Sequence, residues 1–228
     1  MRRFLVLAAI VGFALPAMAQ DPVIWDNGNG IGGAMSSQLD TAYPFDSQVA
    51  DDFNLPIGPN NEPAWNVTDV HWEGGFWNGD PVPGDFRIMF YADAGGKPTG
   101  GPADPTGTAL AVYDFLYAEV NETPNAQGFE YYVDLPDPFV ADANTTYWIA
   151  IQWVQFFSPQ WGISVSDAMQ DSPVWMGFPL LGNDYWTPGY IPFGTDRDMA
   201  FRLTGVAVPE PASLTLLALG GLTLLRRR

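Results

Sequence analysis

Glu73 is where carbohydrate chemistry would attach first. It sits in the aromatic run Val67–Trp77, two residues from His71, the one histidine of the 228-residue chain. A glycosidase works with two carboxyls about 5–9.5 Å apart, one of them holding its proton. Between the terminal segments the glutamates are Glu62, Glu73, Glu119, Glu122 and Glu130. Acids are so numerous that some pair always looks plausible, and no catalytic residue is assigned on that ground. Glu73 remains the position at which to test a polysaccharide hydrolase or lyase, with His71 either a base beside it or an ordinary strand residue.

Two further acidic groups invite a cation. Asp51 and Asp52 are adjacent, and neighbours on a strand face opposite sides, so both reach one site only if the strand bulges. Asp26-Asn27-Gly28-Asn29-Gly30 offers oxygens from Asp26, Asn27 and Asn29, and calcium takes six to eight oxygen ligands. The spacing departs from an EF-hand loop, and Gly, Asn and Asp also build tight turns. A structural calcium and a plain turn both fit; no other cofactor is expected.

The third constellation is aromatic. Trp175, Tyr185, Trp186 and Tyr190 lie in a stretch broken by Gly and Pro, with Asn183 and Asp184 between them. Exposed rings stack on the apolar face of a sugar while an amide or carboxylate holds its hydroxyls, which would make a platform for exopolysaccharide. The alternative is a segment pinned over the end of the fold by its own rings. Trp72, Trp148 and Trp153 fall in strand patterns and read as core.

Composition narrows the rest. From 20 to 208 the basic residues are Arg87, Lys97, Arg197 and Arg202; these four against 25 acids leave a net charge of −21. A phosphate backbone is repelled by such a surface, so nucleic acid is not a partner. The absence of cysteine excludes thiol nucleophiles, zinc–thiolate sites and disulfides.

The ends read as addresses. Arg2 and Arg3 precede the apolar run Phe4–Leu15, and Ala17-Met18-Ala19 is a small-x-small cleavage site, so residues 1–19 form a signal peptide cut after Ala19 by signal peptidase. Ala212–Leu225 is a charge-free run of 14 residues closed by Arg226, Arg227 and Arg228. As a helix it would cover ~21 Å of a ~30 Å hydrocarbon core. It is short for a permanent span, which suits transient anchoring with the arginines held inside.

Between the ends, short Val, Ile, Tyr, Phe and Trp runs alternate with Gly and Pro, the pattern of an all-β sandwich or barrel. Strands are predicted near 22–26, 47–55, 66–77, 85–92, 109–119, 128–135, 145–155, 160–166, 173–177 and 198–205. Loops are predicted at 27–46 and 175–197. Phe86, Ile88 and Phe90 share one strand face, as do Tyr147, Ile149, Ile151 and Trp153.

Pro209-Glu210-Pro211, the apolar run and the terminal arginines resemble the PEP-CTERM sorting signal, a region also labelled an ice-binding protein C-terminal domain. The resemblance implies recognition by an exosortase, a membrane transpeptidase that removes the tail and delivers the protein to the cell surface or matrix. The segments Val49–Leu55, Val67–Trp77, Asp85–Gly100, Thr145–Gln152 and Asp198–Gly205 are similar to an exported domain of PEP-CTERM and planctomycete-type surface proteins. That likeness implies a single jelly-roll-like antiparallel β-sandwich over 20–206, between signal helix 1–19 and sorting signal 207–228. The expectation is a non-enzymatic surface or matrix protein; a carbohydrate-binding module and a carboxylate-dependent hydrolase or lyase are the alternatives.

Overall fold

The computed structural model describes residues 21–43, 46–166, 168–179, 182–189 and 196–209. In chain order the strands are β1 (Val23–Asp26), β2 (Ala34–Ser36), β3 (Gln38–Leu39), β4 (Gln48–Asn54), β5 (Ala64–Trp77), β6 (Asp85–Ala92), β7 (Ala111–Phe115) and β8 (Asn121–Asn125). They continue with β9 (Gly128–Asp142), β10 (Thr146–Val154), β11 (Gln160–Ser166), β12 (Trp175–Phe178), β13 (Asn183–Pro188), β14 (Asp198–Met199) and β15 (Phe201–Val208). The predicted signal helix and C-terminal helix lie outside the described residues. Among the described residues no helix is long and apolar enough to cross a membrane.

Two sheets face each other as an antiparallel sandwich. The eight-stranded sheet runs β1-β15-β5-β11-β14, with β2 on β11 and β8-β9 on the other flank of β5; the seven-stranded sheet runs β13-β12-β4-β10-β6-β7, with β3 on β10. The pair β3–β10 is parallel. β5 is long enough to hold two partners in succession on one side, β15 against 64–72 and β11 against 74–77.

Irregularities in the pattern have local causes. The register slips between Val67 and Asp69 on β5, so Val67 and Val70 both point inward although three residues apart. Pro136 and Pro138 fall in the part of β9 that this slip leaves unpaired, and Pro124 lies on edge strand β8, where its missing N–H costs no ladder bond.

The interior is aromatic. Trp72 stacks on Tyr131 at 5.5 Å and meets Phe86 edge-on at 5.1 Å; Phe86 in turn meets Trp161 at 5.3 Å. Phe90 and Phe139 stack at 4.2 Å. Trp72, Trp148 and Trp153 are all fully buried, as core residues should be.

The middle of the seven-stranded sheet is covered on both faces. Its outer face carries a second apolar cluster of Ala50, Met89, Tyr91, Trp148, Ala150 and Trp186. The segment 93–110 closes over it: Tyr91 donates its hydroxyl hydrogen to Pro105 O at 2.9 Å, and the Trp148 indole N–H donates to Asp93 Oδ1 at 2.9 Å. Pro102 is buried where a Cβ on Gly177 would fall 2.1 Å from its ring. The eight-stranded sheet keeps a wet outer face, and on the smaller sheet the β6–β7 flank stays open where Arg87 pairs with Asp114.

Candidate functional site

That wet face gathers the chemistry. On β5 it presents Asp69, His71 and Glu73; directly opposite on β9 stand Asp134, Tyr132 and Glu130. On the other side of β5, Arg202 pairs with His71. His71 Nε2 lies 3.0 Å from Asp69 Oδ1, and its ring stacks on Tyr132 at 5.2 Å. Like charges placed directly across a ladder repel. Here Glu73 and Glu130 each have a donor: Asn125 Nδ2 donates to Glu73 Oε2 at 2.9 Å, and Arg202 Nη2 donates to Glu130 Oε1.

Glu73 thus gains a cross-strand carboxylate partner in Glu130, which spacing alone did not single out. The cleft at this pair, lined by Gly28, Asn29, His71, Glu73, Glu130 and Arg202, has a volume of about 10 Å³, the room of one water. A sugar ring does not fit within it.

A larger groove lies alongside. Phe76, Trp77 and Phe129 line a space of about 320 Å³ with Gln127, Ser164 and the backbone of several glycines. The glycines make it. A Cβ at Gly162 would meet the Trp77 ring at 2.6 Å, and one at Gly128, whose φ is +145°, would meet Gly74 O at 2.4 Å. Without side chains at these points, half-buried aromatic rings border an open floor of peptide groups. A neighbouring groove of about 410 Å³ is lined by Asp21, Val23, His71, Arg202 and Thr204.

The platform expected at 175–190 takes another form. Trp175 and Trp186 belong to strands β12 and β13, which pair with each other and add to the edge of the seven-stranded sheet at β4. Alternation turns Trp186 inward, where it is 3% exposed and meets Tyr91 edge-on at 6.0 Å. Trp186 therefore has no free face to offer a sugar. Trp175 is half-buried against the same cluster, while Tyr185 is 65% exposed. Asn183 and Asp184 begin β13; their side chains, and Tyr190, lie outside what is described.

The acids expected to reach a cation are redistributed. Asp26 is exposed and accepts from its own turn, Gly28 N, at 2.8 Å; Asn29 is exposed as well. Neither converges with Asn27, which turns into the interior and donates from Nδ2 to Asp51 Oδ2 at 2.9 Å. Asp51 and Asp52 face opposite sides of β4, yet both are buried because both faces of that sheet are covered. Asp51 lies on the side of Val49 and Phe53, inside the sandwich; Asp52 lies on the other side and accepts from Ser172 N at 3.1 Å. Burial, then the neighbouring Asp198, holds the Asp51 carboxyl well above the usual range. Burial pushes Asp52 up to about 7 and Asp198 to about 6.

Pro209 follows β15 directly and is exposed. The other processing residues, Ala19, Glu210, Pro211, Arg226, Arg227 and Arg228, lie outside the described residues. Residues 207–228 match the PEP-CTERM protein-sorting motif, which marks the chain as an exported, cell-surface-directed substrate of exosortase. No curated protein matches the chain. Residues 18–204, which take in both sheets, match the family described as Domain of unknown function (DUF7901), and the chain belongs to that family.

Proposed function

We propose that the sandwich is a non-enzymatic component of the cell surface or extracellular matrix, delivered there by exosortase. The observation that carries this reading is the sorting motif placed directly after the last strand of the fold. The cleft between Glu73 and Glu130 supports it: the cleft holds about one water, and neither glutamate lines the 410 Å³ groove beside it. A screen of the exported protein against a panel of polysaccharides, beside a Glu73→Gln control, is expected to yield no cleavage products. Cleavage that the control abolishes would overturn the reading.

A second reading is favoured by the groove of Phe76, Trp77 and Phe129. Its size, rings and glutamine suit the face and hydroxyls of one or two sugar units. In this reading the domain holds exopolysaccharide at the end of the larger sheet where Trp77 faces outward and Phe76 and Phe129 pack back onto the core, rather than at 175–190. Trp77→Ala is expected to weaken retention in affinity electrophoresis on exopolysaccharide by about tenfold, the loss of roughly 1.4 kcal/mol of stacking. Equal migration of the variant and the parent protein would remove the groove from consideration.

A further inference from the structure

The two sheets are joined, deep in the sandwich, through a carboxylate. Asp51 sits on the inner face of β4 in the smaller sheet. Its Oδ2 accepts from Met199 N at 2.6 Å and from Asn27 Nδ2 at 2.9 Å, both at the margin of the larger sheet. Next to Met199 is Asp198, whose Oδ2 accepts from Gln170 N at 2.5 Å. Gln170 also reaches Asp26 O with its side-chain amide, so one residue clamps the chain after β1 to the start of β14.

Two oxygens in this cluster have no donor. Asn27 Oδ1 and Asp198 Oδ1 are buried without a hydrogen-bond partner. Asn27, Asp51 and Asp198 are each 0% exposed. A buried oxygen left unmatched is expensive, and one on a carboxylate facing a second carboxylate is more so. Asn27 Oδ1 belongs to the amide that already touches Asp51, and Asp198 lies near enough to Asp51 for their charges to repel. A half-turn of that amide would set its oxygen towards Asp51. Asp51 Oδ1 already accepts from Asp52 N at 3.0 Å, so the oxygens left over are those of Asn27 and Asp198, and they call for positive charge.

We propose that Asn27, Asp51 and Asp198 hold a calcium ion that fastens the two sheets together. The donor set decides the metal. Two carboxylates and an amide are hard oxygen ligands, and calcium accepts such a mixture in irregular geometry, completing its shell with main-chain carbonyls and water. Magnesium demands a near-ideal octahedron and gives up its water reluctantly, which a closed interior resists. Zinc favours nitrogen and sulfur. Among the described residues no three His, Cys, Asp or Glu side chains converge on a metal; this site has two acids and depends on the amide for its third side-chain ligand.

The test uses the protein in the form its host exports, stripped with EDTA and returned to buffer of fixed ionic strength. Calcium chloride is expected to bind at one tight site per chain by equilibrium dialysis and to raise the melting temperature by roughly 5–10 °C. Magnesium and sodium chloride at matched ionic strength are expected to leave it within a degree or so of the stripped protein. Asp198→Asn keeps the shape and removes one charge. Stripped, it is expected to melt no lower than the stripped parent, and to lose the calcium shift. Asn27→Asp is expected to do the opposite, melting lower when stripped and binding calcium more tightly. That inversion separates an ion ligand from an amide needed only for its hydrogen bond, which would weaken the protein in both states. The exposed Asp137→Asn is expected to match the parent throughout and so controls for general attraction by an acidic surface. Absence of tight binding, an equal response to magnesium or sodium, or a full calcium shift in Asp198→Asn would each overturn the proposal; the first would leave a shared proton between Asp198 and Asn27 as the occupant.

Discussion

Deletion of residues 209–228 is expected to abolish processing and send the domain to the wrong place without unfolding it. The two halves of that expectation have separate grounds. The matched sorting motif takes in Pro209-Glu210-Pro211, the apolar run and the arginines, all of which the deletion removes. The described strands precede them: Ala207 and Val208 of β15 pair with Trp65 and Ala64 of β5, and these stay in place. The truncated chain should therefore keep its melting temperature while its surface fraction, measured by immunoblotting of washed cells, falls to background. Unchanged surface association with unchanged trimming would refute the assignment of the tail as the delivery signal.

Trp186→Ala is expected to cost about 3–5 kcal/mol, the usual penalty for emptying a buried aromatic site, and to lower the melting temperature on the order of 10 °C. The ring fills the second apolar cluster between Tyr91 and the strands of the smaller sheet. Its indole nitrogen has no hydrogen-bond partner, so the loss is one of packing. Tyr185→Ala, one residue away on the exposed side of β13, should change stability by less than about 0.5 kcal/mol. A Trp186→Ala protein that melts like its parent but fails to bind a polysaccharide would reverse this and restore the tryptophan as a ligand-facing ring.

Strand alternation made much of this fold legible. Phe86, Ile88 and Phe90 do share the inner face of β6, and Ile149, Ile151 and Trp153 that of β10. What escaped notice was short or depended on distant chain. β2 and β3 span three and two residues, too few for a period to show, and they lie within the predicted loop 27–46. β13 was hidden by Gly182 and Pro188, which mark its ends rather than forbid it. The second apolar cluster had a signal in the sequence: Met89, Tyr91, Trp148 and Ala150 occupy the positions that alternation assigns to solvent. Apolar residues on both faces of a strand mean a sheet covered twice, and the cover comes from segment 93–110, whose polar turns gave no hint of it.

The candidate sites were less legible. Asn27 was identifiable as an oxygen ligand, but its partner Asp51 comes from a strand of the opposite sheet, and Asp198, proposed to join them, from the far end of the chain. No local spacing joins them. Glu73 and Glu130 likewise meet only because β5 and β9 pair in the register that sets them opposite each other. The groove of Phe76, Trp77 and Phe129 rests on glycines whose importance is a missing side chain, a property invisible until the neighbouring strand is in place.

β15 is the final strand among the described residues, yet it lies between β1 and β5, in the middle of the larger sheet. An exported polypeptide leaves the cell amino end first, so β1 and β5 emerge with a gap between them that nothing fills until the last segment arrives. The larger sheet is complete only once that last segment is in place. Its earlier strands wait outside with open edges, and the strong negative charge of the mature chain works against their sticking to one another in that interval. The strand that fills this gap is also the one that leads directly into the sorting motif.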